Sequence, residues 1–270
     1  EIVDILENNT VIRNKYIFII YSVLSGKAKS LKAGEYVFNS AYTNKMILTK
    51  LYMNEVKLYK ILIPECYSNK QIKSYLLKHF TNLENFENFQ EGDFFPSTYY
   101  ISKDTKITNL LNMMQGKAQE EYSQLYIKYK NNISNILKNE KEVLILASIV
   151  EAEAKLKEEK RKIAAVFLNR LKIGMKLQSD PTVIYGINKT VYMKNSLSKN
   201  DLSEKHNWNT YRVFGLPPTP ICNVGIDAFY AVLNPENSSN LYFVADGQGG
   251  HIFSKNYQEH LKNIKKVYKK

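Results

Sequence analysis

The chain has 270 residues, 44% hydrophobic and 24% charged, which allows one large domain or two ordinary ones and excludes wholesale disorder. Its 38 Lys and Arg against 26 Asp and Glu give a net charge of +12, yet Arg occurs only at Arg13, Arg161, Arg170 and Arg212. Bidentate readout of bases and phosphates favours Arg, so the composition disfavours a nucleic-acid reader, and the charge reads as solubility or attraction to an anionic surface.

The apolar run at 17–24, interrupted by Tyr21 and Ser22, is far shorter than the roughly 20 residues that span a bilayer and reads as a buried strand. The chain opens at Glu1, so an upstream segment is expected to have been removed. A weak repeat links residues 42–51 to residues 67–76. In each copy a hydroxyl or Asn (Thr43 or Asn44, Ser68 or Asn69) is placed to cap a helix, with Ile47 and Leu51, or Ile72 and Leu76, on one face. Strands are expected at 34–38 and 60–64 ahead of these helices. The unit resembles part of a LysM-like module, a class that binds cell-wall glycan, although a ligand-free α+β scaffold fits the same pattern. Residues 81–90, rich in Asn and Glu, read as a linker or exposed helix and place a boundary at 82/83. Cys66 and Cys222 form no CxxC pair and the four His no HExxH, so neither metal nor cofactor is expected.

From residue 137 the period becomes helical. Asn139 caps an apolar run, 143–150, that ends in Glu151 and Glu153. Glu151 shares the face of Leu144 and Ala147, whereas Glu153 points about 160° away from it. A carboxyl at Glu151 projecting from an apolar wall would have a raised pKa suited to a general acid, although such a Glu also marks the place where a helix emerges into water. A second amphipathic helix is expected at 158–172, with Ile163, Phe167 and Leu171 on one face and Gly174 as its stop. Residues 175–186 concentrate polar groups beside Tyr185, a platform for a sugar ring or simply a capped turn. The loop at 216–221 holds three prolines in four positions and is stiff, and residues 240–254 read as a hairpin turning through 247–250. His251 alone reads as structural.

Taken together, these stretches resemble the membrane-bound endolytic murein transglycosylases, the YceG-like or MltG family. The resemblance rests on ILASIVEAE at 145–153, AVFLNRL at 165–171, LQSDPTVIY at 177–185, NTY at 209–211, GLPP at 215–218, YFVADG at 242–247 and GGH at 249–251. Upstream, LKAGEY at 31–36, IPE at 63–65 and EGDFFPSTY at 91–99 continue it. Cys66 stands where the family usually has Gly, and Trp208 where it usually has Tyr.

The resemblance implies an α+β fold, with a LysM-like subdomain at 1–82 followed by a mixed α/β catalytic domain at 83–270, in which a helical pair carries the catalytic Glu. It implies non-hydrolytic cleavage of the bond between N-acetylmuramic acid and N-acetylglucosamine, leaving 1,6-anhydro ends. Glu151 is the implied catalytic acid, and Gln178, Asp180, Tyr185, Asn209, Tyr211 and His251 are the candidates for holding the glycan. The implied partners are peptidoglycan strands and the synthases that make them. An N-terminal anchor would place the catalytic part outside the inner membrane. A non-catalytic wall-binding protein and a lysozyme-like hydrolase stay open at this stage.

Overall fold

The apolar run at 17–24, expected as a strand, is helical because Asn14 caps it: its Oδ1 accepts from the N–H groups of Tyr16 and Ile17. The structure, a computed structural model, describes residues 1–133, 135–192 and 197–268. Helix α1 (Ile2–Asn8) leads into α2 (Lys15–Leu24), which buries only Phe18 and Ser22, one turn apart, and leaves Ile17, Ile20 and Val23 exposed. Thr43 starts α3 (Asn44–Tyr52) by accepting from Met46 N–H, as expected. Phe18, Leu6, Ile12, Ile47, Leu48 and Leu51 form one small core.

Strands β1 (Tyr59–Leu62) and β2 (Thr98–Ile101) pair with each other. Residues 34–38, expected as a strand, are irregular, with a backbone bond from Lys57 N–H to the Glu35 carbonyl and stacked rings at Tyr36 and Phe38. Gly34 packs so closely on Val56 that a Cβ there would overlap its Cγ1, which leaves little freedom to lay down a ladder.

The chain divides into two compact units, Glu1–Ile61 with Thr98–Lys106, and Leu62–Ser97 with Ile107–Lys270. This differs from the boundary expected at 82/83. Helix α4 (Asn69–Leu76), started by a Ser68–Gln71 capping box, belongs to the second unit. The reason lies just before it, where Cys66 N–H donates to the Asn223 carbonyl and Asn223 N–H to the Tyr67 carbonyl. Nor are residues 81–90 a free linker, because Phe86 is buried and both Phe86 and Phe89 pack on Phe94.

The second unit is built around a nearly all-apolar helix. Beyond α5 (Ile107–Tyr129), Asn139 accepts from Glu142 N–H and starts α6 (Glu140–Glu153), whose residues 145–151 are all buried. Helix α6 packs on α5, α7 (Lys160–Lys172), α8 (Asp180–Asn188) and α10 (Ile226–Leu233), which explains why its sequence lacks a polar stripe. Helix α7 stops near Gly174, which holds a left-handed φ of +68°. Between α8 and α10 lies the short α9 (Lys199–Ser203). The expected hairpin is present: β3 (Tyr242–Ala245) pairs antiparallel with β4 (His251–Ser254), Ala245 opposite His251, before α11 (Tyr257–Tyr268). Among the described residues no helix is long and apolar enough to cross a membrane.

Candidate active site

The last turn of α6 sends two carboxylates in different directions, and their surroundings differ in kind. Glu151 Oε1 accepts from Lys160 Nζ at 2.6 Å and its Oε2 from Gly225 N–H at 3.0 Å. The Glu151 and Lys160 side chains are 4% and 6% exposed, and the ammonium also reaches Glu65 Oε2 at 3.4 Å. Burial pushes the Glu151 carboxyl up, and the Lys160 charge and bond offset only part of the rise, so it stays above its usual value. Burial also works against the Lys160 ammonium, yet Glu151 and Glu65 outweigh it and raise its pKa. Lys160 therefore stays charged. Both oxygens of Glu151 are thus engaged by the protein itself, in an ion cluster whose outer member, Glu65, is half exposed.

Glu153 is different. It is part-buried, and among the described residues it forms no ion pair. Its Oε1 accepts from Ser179 Oγ at 2.5 Å. Burial pushes its carboxyl up to about 7; the Ser179 bond pulls it down, the Asp180 charge adds to the rise, and His251 and Arg170 oppose it. A carboxyl with that proton affinity is part protonated at neutral pH, the condition for giving a proton and later taking one.

The chain positions this group through three local devices. Ser179 is the N-cap residue of α8, its N–H donating to Thr210 Oγ1 at 2.9 Å, with Pro181 in the first turn of the helix. Asp180 accepts from Tyr211 OH at 2.7 Å. His251 opens β4; its Nδ1 lies 2.7 Å from Glu159 Oε2 and its backbone N–H donates to Glu159 Oε1 at 2.8 Å, so one carboxylate grips both ring and main chain. The hairpin turn ahead of it is closed by Asp246, which accepts from the N–H groups of Gln248 and Gly250.

Of the residues expected to hold a glycan, Asp180, Tyr211 and His251 lie within electrostatic reach of Glu153. Gln178 is exposed beside them; its backbone is left-handed at φ +50° and its N–H donates to the Thr210 carbonyl. Tyr185 lies elsewhere. It is buried and donates to Glu91 Oε2 at 3.0 Å, next to the Trp208 ring, and burial pushes the Glu91 carboxyl up to about 8. Asn209 is fully buried and spends its amide on its own loop, donating to the Leu202 and Glu204 carbonyls and accepting from Tyr211 N–H. Its side chain builds the loop that presents Tyr211.

Sequence reasoning gave no role to Glu153, Ser179, Glu159, Lys160 or Glu65. One signal was available. Lys160 shares a helical face with Ile163, Ala164 and Phe167, all buried, and a Lys on such a face needs a carboxylate partner.

The α+β architecture is that of the yceG-like proteins: the crystal structure of one from Listeria monocytogenes superposes with a TM-score of 0.61 at 28% identity, covering 97% of this chain and 93% of that one. Residues 1–266 match the YceG-like family, and the chain belongs to it. It is 31% identical to the endolytic murein transglycosylase of Bacillus subtilis over 97% of this chain and 79% of that protein. The endolytic murein transglycosylase of Streptococcus pneumoniae is 36% identical over 64% of this chain, which spans only 31% of that protein's length.

Proposed function

We propose that the chain is an endolytic peptidoglycan lytic transglycosylase that cuts between N-acetylmuramic acid and N-acetylglucosamine and leaves 1,6-anhydro ends, with Glu153 in place of the expected Glu151 as its acid and base. The observation that carries the assignment is the contrast in partners: burial raises both carboxyls, but Glu151 is bound by Lys160 and the Gly225 N–H, while Glu153, raised to about 7, accepts from the Ser179 hydroxyl and lies within electrostatic reach of Asp180, Tyr211 and His251. Protonated Glu153 gives its proton to the glycosidic oxygen as the bond to C1 breaks. The carboxylate left behind takes the proton of the sugar's own C6 hydroxyl as O6 bonds to C1. One carboxyl suffices, because an intramolecular nucleophile supplies the positioning that a hydrolase obtains from a second carboxylate and water. Ser179 and His251 stabilise the transient anion, and Asp180, Tyr211 and Gln178 hold the glycan. Tyr185 and Asn209 support that surface from within.

A lysozyme-like hydrolase is the second reading, favoured by one observation: Asp180 places a second carboxylate near Glu153. Digesting purified murein with wild type, Glu153→Gln and Glu151→Gln, and weighing the fragments, separates the two. Anhydro ends from wild type, with cleavage by Glu153→Gln reduced about 10²–10⁴-fold, support the transglycosylase. Reducing ends would make it a hydrolase, and unchanged cleavage by Glu153→Gln would remove Glu153 from the chemistry. We infer too that the first unit is the LysM-like, glycan-contacting part, and that an upstream anchor holds the enzyme on the outer side of the inner membrane near peptidoglycan synthases. Its capped helix α3 and the basic balance of the chain support this.

A further inference from the structure

The chain has two cysteines in 270 residues. They lie 156 positions apart, yet their Sγ atoms are 2.9 Å from each other. Both are free thiols, 3% and 0% exposed. We propose that Cys66 and Cys222 are the two halves of an intramolecular disulfide that closes under oxidising conditions.

Three observations carry this. The backbones are already paired, Cys66 N–H to the Asn223 carbonyl and Asn223 N–H to the Tyr67 carbonyl, so a sulfur–sulfur bond of roughly 2.05 Å needs a shift of under about 1 Å. Cys66 holds a left-handed φ of +61°, a conformation that favours Gly. A thiol serving only as a small apolar filler gives no reason to place a Cβ there. And no third cysteine competes for either partner.

The oxidant is a low-molecular-weight disulfide such as oxidised glutathione. One protein thiolate attacks it, forming a mixed disulfide and releasing one glutathione thiol. The second protein thiolate then attacks the protein sulfur of that mixed disulfide and expels the second glutathione. Two thiol protons leave the protein, and two electrons pass to glutathione. Burial pushes the Cys222 thiol up, so exchange is slow once the chain is folded, and the bond closes during folding or local opening. The bond would join the segment carrying Glu65 to the segment carrying Gly225, two walls of the Lys160 ion cluster.

The test refolds the full chain in oxidised and in reduced glutathione, blocks thiols with iodoacetamide in denaturant, and reads intact mass and a non-reducing peptide map. The oxidised monomer should be lighter by two hydrogens, carry no alkyl group and yield one cross-linked peptide pair holding Cys66 and Cys222. It should melt at a higher temperature than the reduced form, whereas Cys222→Ala and Cys66→Gly should melt identically in both buffers. Two alkylated thiols after oxidative refolding, or glutathione adducts or disulfide-linked dimers in place of the internal link, would overturn the proposal.

Discussion

Replacing Lys160 by Met removes the ammonium that sits between a buried carboxylate, Glu151, and the half-exposed Glu65. Met fills a similar volume but leaves the buried Glu151 carboxylate with Gly225 N–H as its remaining donor. Breaking one side of a buried ion pair costs about 3–5 kcal/mol, because the surviving charge is left in low dielectric. For a unit of this size each kcal/mol moves the melting temperature by about 2–4 °C, so the variant should melt roughly 6–20 °C lower. The loss has a pH signature. Without the ammonium, burial governs Glu151 and its folded pKa rises further above 4.5, so the variant gains relative stability as pH falls and loses it as pH rises through that raised value. Thermal melts followed by circular dichroism from pH 5 to 8 measure both. The companion is Glu151→Leu with Lys160→Met, which replaces the pair by apolar groups and should recover most of the loss. That double variant should also still cut murein, since the proposed acid, Glu153, is untouched. A folded double variant without activity would return the acid to Glu151, and a Lys160→Met melt within about 1 °C of wild type would refute the cluster as a buried charge pair.

Cleavage by the wild-type protein should decline as pH rises through about 7, where Glu153 gives up its proton, and the decline should be absent from the residual rate of Glu153→Gln. The same raised pKa means folding stability is fullest below about 4.5 and falls toward pH 7 by about 3 kcal/mol, a slope that Glu153→Gln should flatten in denaturant titrations. Glu159→Gln leaves one uncharged acceptor oxygen where two gripped His251 and should lower kcat about tenfold or more with little change in KM, while Glu159→Asp restores part of it. Gly225→Ala drives a methyl toward the end of the half-exposed Glu65 side chain, which can swing aside, so it should cost less than about 1 kcal/mol in a denaturant titration.

Local chemistry made much of the fold legible. Thr43, Ser68 and Asn139 cap helices as their residue types demand, Gly174 ends α7 in a left-handed turn, and the glycine-rich turn joins two paired strands. Residues 17–24 misled because an apolar run of that length fits either period, and the deciding group, Asn14, lies outside it. The unit boundary was hidden because β2 returns across about 36 residues to pair with β1, a long-range contact with no local signature. At the site, helical spacing placed Glu151 and Glu153 on opposed faces but carried no information about which face meets Lys160 and which meets Ser179. That choice is made by α7 and α8, whose docking is a property of the packed unit.

Glu159 and Lys160 are neighbours at the start of α7, and each grips a different centre: the first clasps His251, the second neutralises Glu151. Because they are adjacent, any turn of α7 about its axis moves both contacts together, and one residue of helical register is about 100°. The seating of α7 against α6 and α10 therefore sets both centres at once, so a change that loosens one packed helix disturbs the two of them together.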